Sequence, residues 1–61
     1  MKVTYHRPTT GLPYYRAEGE GPLRRIIVEG STRGEALLVA LTKYKEQATE
    51  KAERHLEAVN A

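Results

Sequence analysis

The second half of this chain constrains what the first half can be. Residues 32–61 read as one amphipathic helix that opens on a capping box, Thr32-Arg33-Gly34-Glu35. In such a box the threonine hydroxyl accepts from the backbone N–H three residues on, and the glutamate carboxylate reaches back to the threonine N–H. Apolar residues crowd positions 36–41 and then thin to Ala48, Ala52, Leu56 and Val59. At about 100° per residue, Leu37, Leu41, Tyr44, Ala48, Ala52, Leu56 and Val59 fall within a stripe roughly 120° wide. A helix patterned this way needs a surface to cover that stripe, and the upstream residues are the first candidate.

Those residues carry the marks of short strands. Lys2–Arg7 alternates, with Val3 and Tyr5 on one side and Lys2, Thr4 and His6 on the other. Residues 8–13 form a loop, since two prolines bracket a glycine and neither proline can donate to a ladder. Tyr14–Glu18 is a second strand, Gly19-Glu20-Gly21-Pro22 a hairpin turn, and Leu23–Glu29 a third strand carrying the β-branched run Ile26-Ile27-Val28. The expectation is a single α+β domain over residues 1–61. A three-stranded antiparallel meander (β-β-β-α, residues 1–30) packs on one long C-terminal helix (residues 32–60). Leu37, Leu38, Leu41 and Tyr44 would then meet Val3, Tyr5, Tyr15, Ala17, Ile26 and Val28.

The two layers differ in length. Strands of about six residues span roughly 20 Å, whereas a 27-residue helix is about 40 Å long. The distal stripe therefore overhangs the sheet. Its residues Tyr44, Ala48, Ala52, His55, Leu56 and Val59 are expected to form a seam with the same helix of a second chain, with the small alanines allowing close approach.

Bulk composition sets limits. At 61 residues the chain buries only about 60% of the surface it exposes when unfolded, and with no cysteine it has no disulfide or thiolate site to reinforce it. The longest apolar run, residues 36–41, falls far short of the roughly 18 residues that span a bilayer. Nothing near Met1 resembles a signal peptide. A cytoplasmic protein with no membrane association is expected. The net charge is +2, but it is uneven: residues 1–33 carry +3, mostly as arginine, and residues 34–61 carry −1. Arginine suits planar recognition of phosphates, carboxylates and base edges.

Catalytic and metal chemistry find no pattern. His6 and His55 are about fifty residues apart with no cysteine between them, so a zinc site would need two carboxylates placed by chance. Glu18 and Glu20 straddle an open turn, where nothing separates their pKa values. No serine or threonine has a base at a recognisable spacing, and the glycines fit no phosphate-binding loop. No catalytic residue, metal or cofactor is expected, and the chain reads as a non-enzyme.

One candidate surface stands out. Strand neighbours point to opposite faces, which sets Tyr14, Arg16, Arg25 and Ile27 on the open face of the sheet, with Arg7 adding charge at the end of the first strand. Aromatic and arginine side chains are enriched at interface hot spots. The stretches Gly11-Leu12-Pro13-Tyr14-Tyr15-Arg16 and Val28-Glu29-Gly30-Ser31-Thr32-Arg33-Gly34-Glu35-Ala36 resemble the three-stranded-sheet-plus-helix fold of phage integrase arm-binding domains and plant AP2/ERF domains. That resemblance implies a sheet entering the major groove of double-stranded DNA, with Tyr14, Arg16 and Arg25 at the DNA. Residues 28–37 are also similar to the strand-to-helix corner of HicB-type antitoxins. Two readings follow. One is a protein-binding module, a homodimeric inhibitor or adaptor such as mobile elements encode, docking its Tyr/Arg face or its helix on a larger protein. The alternative is a sheet-reading DNA-binding module.

Overall fold

The computed structural model describes residues 1–60, with side chains as far as Ala58. Strand β1 spans Lys2–His6, β2 Tyr14–Glu20 and β3 Arg25–Gly30, and helix α1 spans Arg33–Asn60. The strands form one antiparallel sheet in the order β1-β2-β3. The chain thus has the expected α+β arrangement of a meander followed by one long helix. Val3, Ala17 and Val28 align across the sheet, as do Tyr5, Tyr15 and Gly30, and these residues face the helix. Lys2, Glu18 and Ile27 align on the open face, followed by Thr4, Arg16 and Glu29.

The hairpin lies two residues later than the sequence indicates. It reverses at residues 21–24 instead of Gly19–Pro22, which lengthens β2 and shortens β3. The Gly21 N–H donates to the Arg24 carbonyl at 3.0 Å. The Leu23 and Arg24 N–H groups both donate to Gln47 Oε1, at 3.1 and 3.0 Å. A helix side chain therefore fixes the turn, and position 21 must be glycine because a Cβ there would strike the Gln47 carboxamide and the Arg24 carbonyl.

The core is mostly alanine. Ala17, Ile26, Ala36 and Ala40 are buried, with Val3, Tyr15 and Val28 packed against them. Only Ser31 and Thr32 connect β3 to α1, so the helix begins directly over the end of its strand. A Cβ on Gly30 would lie 2.5 Å from the Ala36 nitrogen, which shows how closely the two backbones approach. This contact fixes the rotation of the helix. Ala36, Ala40 and Gln47, within about 40° of one another around the axis, face the sheet. The expected packing of Leu38, Leu41 and Tyr44 on the sheet is therefore incorrect. These side chains are exposed, Leu41 by 55%. Tyr5 is exposed to the same degree, because α1 lies over β3 and β2 and touches β1 least.

Half of the capping box forms as expected, with the Glu35 N–H donating to Thr32 Oγ1 at 3.0 Å. The Glu35 carboxylate instead accepts from Ser31 Oγ, at 2.5 Å. Farther along, the last tie between helix and sheet is the Arg24–Glu50 ion pair at 3.4 Å. Glu50 also holds Arg54 at 2.6 Å, one turn farther along the helix. The rest of α1 projects past the sheet, and the molecule measures 52 × 17 × 17 Å. Among the described residues no helix is long and apolar enough to cross a membrane.

Gln47→Ala removes the acceptor for two part-buried N–H groups and is expected to cost about 2–3 kcal/mol, read as a lower urea midpoint. Gln47→Glu keeps an acceptor oxygen and should recover part of the loss. Equal midpoints for the wild type and Gln47→Ala would show that the turn holds without the helix.

Candidate functional site: an open sheet face and an uncovered helix flank

The open face brings together Tyr14, Arg16, Arg25 and Ile27, as their alternation requires, but the arginines already have carboxylate partners. Arg25 pairs with Glu18 and with Glu20, each at 3.2 Å, and Arg16 pairs with Glu29 at 3.7 Å. Three cations (Lys2, Arg16, Arg25) and three carboxylates (Glu18, Glu20, Glu29) leave this face without net charge. Exposed pairs of this kind add little stability. Their effect is on the field, since a phosphate approaching either arginine also meets a carboxylate. Tyr14 is not a free anchor: its ring stacks on His6 with centroids 5.1 Å apart and planes 12° apart. The His6 ring is held in turn by a 2.8 Å hydrogen bond between its Nε2 and Thr4 Oγ1. Ile27 is exposed but stands alone among charges, and Arg7 lies beyond β1 in the loop.

The helix flank is a different kind of surface. Tyr44, Ala48, Ala52, His55 and Leu56 of the expected seam are all exposed along one side of α1. Val59, the last seam residue, has a side chain outside the described ones. The stripe recurs every eleven residues (37, 48, 59; 41, 52; 44, 55), a period of about 3.67 that keeps it nearly straight along the helix.

Backbone chirality fixes where this flank points. The Gly21–Arg24 hydrogen bond sets the ladder phase. The pairs beneath the helix, Gly19–Ile26, Ala17–Val28 and Tyr15–Gly30, are therefore the hydrogen-bonded ones. For L-residues this determines on which side of β3 the rest of the sheet lies. A right-handed helix running back along β3 then turns Leu37, Leu41 and Tyr44 toward β1. The result is a shallow apolar notch with two walls. One wall is the helix flank. The other is the strip of sheet that α1 leaves uncovered, with Val3, Tyr5 and Tyr15. The Tyr5 and Tyr15 rings lie 5.1 Å apart, and Met1 sits beside Gly19, its Sδ 3.0 Å from where a Cβ would stand. Among the described residues no pocket forms, so the notch is an open surface.

Compared with protein-family models, curated proteins and solved structures, the chain matches none.

Sequence patterning groups the exposed flank residues but not the notch. Tyr5 and Leu41, which the patterning places in the core, are exposed, and Met1 carries no signal in the sequence. The usable signal was the two-residue connection after Gly30 together with Ala36, Ala40 and Gln47 on one line.

Because Leu41 is on the surface, Leu41→Ser should shift stability by less than about 1 kcal/mol, whereas Ala40→Leu should cost about 1–3 kcal/mol by overpacking. Thermal or urea unfolding of the two variants checks this. The opposite ranking would return the leucine stripe to the core.

Proposed function

We propose that this protein is a non-enzymatic protein-binding module, an adaptor or inhibitor, whose contact surface is the apolar notch and helix flank. The observation that carries this reading is the continuity of the exposed apolar surface. It runs from Tyr5 across Leu41 and Tyr44 to Leu56, each at least 45% exposed. A contiguous apolar surface of this extent on so small a chain is characteristic of interaction sites. The Tyr/Arg face is the lesser surface, because its aromatic ring is stacked within the sheet and its arginines are paired.

The same pairing weakens the sheet-reading DNA alternative. Arg16 and Arg25 would have to exchange carboxylates for phosphates, while Glu18, Glu20 and Glu29 remained in the contact face and opposed binding.

The test is affinity capture from a host lysate with and without nuclease, at low and high salt. A captured protein that survives nuclease and high salt, is lost with Leu41→Glu and is retained with Arg16→Ala/Arg25→Ala is the expected result. Nuclease-sensitive capture that falls steeply with salt and needs the two arginines would establish a nucleic-acid module instead.

A further inference from the structure

We propose that the notch receives the overhanging end of α1 from a second copy of this chain, in an antiparallel, two-fold pair of helices crossing at Ala48. The proposal deepens the protein-binding reading by naming one occupant of the surface on which that reading rests.

The place where the sheet stops sets the crossing point. Helix and sheet are last joined through Gln47 and Glu50. A two-fold axis perpendicular to the sheet at Ala48 sets the two sheets end to end, so that neither blocks the other's helix. Each overhang then runs back over the other chain's uncovered strip. The lengths agree: Leu37 to Ala48 is about 16 Å and Ala48 to Asn60 about 18 Å.

Side-chain sizes agree as well. In this register Ala48 meets Ala48, Tyr44 lies opposite Ala52, and Leu41 lies beside His55 and Leu56 of the second copy. Large groups oppose small ones near the axis, where the helices must approach closely. Ala58 of the second copy comes down toward Val3 and Tyr5. An isologous contact uses one patch twice, which suits a stripe whose two halves fit each other.

Area decides between this arrangement and a pairing of the helix flanks alone. A helix flank about 30 Å long and about 12 Å wide offers roughly 350 Å² per chain, well below the roughly 800 Å² per partner of a standard interface. Seating the overhang against both walls of the notch about doubles the contact.

The experiment uses the purified full chain. Sedimentation equilibrium is expected to show a monomer–dimer equilibrium. Leu56→Glu, at a position clear of the chain's own sheet, should yield a monomer with an unchanged far-UV circular dichroism spectrum. The chain lacks cysteine, so single cysteines report the register. Tyr44→Cys mixed with Ala52→Cys should form a heterodisulfide under mild oxidation. Leu56→Cys alone should not self-crosslink, because the two copies of that residue lie about 24 Å apart in an antiparallel pair. A strict monomer at high concentration, a dimer that survives Leu56→Glu, or efficient Leu56→Cys self-crosslinking would overturn the proposal. A monomer that still captures a host protein through Leu41 removes the self-pairing and leaves the binding module standing. A dimer with the expected crosslinks but no capture does the reverse.

Discussion

The close approach of the Gly30 and Ala36 backbones is the contact on which the rest of the structure depends. Two connecting residues give α1 no freedom to choose its rotation, so the side chains nearest the end of β3 become the core by position. They are alanines. Two buried alanines on the helix and one on the sheet bring the layers close together, and Gly30 permits the closest point. The leucines, the larger apolar groups, are turned aside by the same geometry. A core built this way buries little area per residue, and fixed polar contacts supplement it. The Gln47 carboxamide holding the hairpin turn is the clearest of these, since an unsatisfied part-buried N–H is costly.

The two faces of the sheet illustrate a second constraint. On the open face both arginines lie within reach of a carboxylate, because alternation puts Arg16 beside Glu29 and Arg25 beside Glu18 and Glu20. Charges distributed this way discourage edge-to-edge pairing of an otherwise β-branched third strand, and they leave the face with little net field. On the helix side, a single helix over β3 and β2 cannot also cover β1. The molecule therefore has one electrostatically closed surface and one apolar surface that is open, on opposite sides of the same three strands.

Much of this architecture was legible in the residues. Periodicity located all three strands and the helix, and the Thr32 cap placed the helix start within a residue. The length mismatch between layers also followed from spacing alone. Turn position was less legible, because Gly19–Pro22 has the composition of a hairpin while the acceptor that stabilises residues 21–24 is Gln47, more than twenty residues away.

What the sequence by itself determined is the order and type of the elements, the overhang of the helix, and the membership of the apolar stripe, all properties of local repeat and length. Only the tertiary structure decided which face of the helix the sheet would take. Hydrophobic periodicity finds the face with the most apolar area, whereas a short connection selects the face that geometry presents. Here those two faces are about 110° apart around the helix, and the difference is what leaves the leucines at the surface.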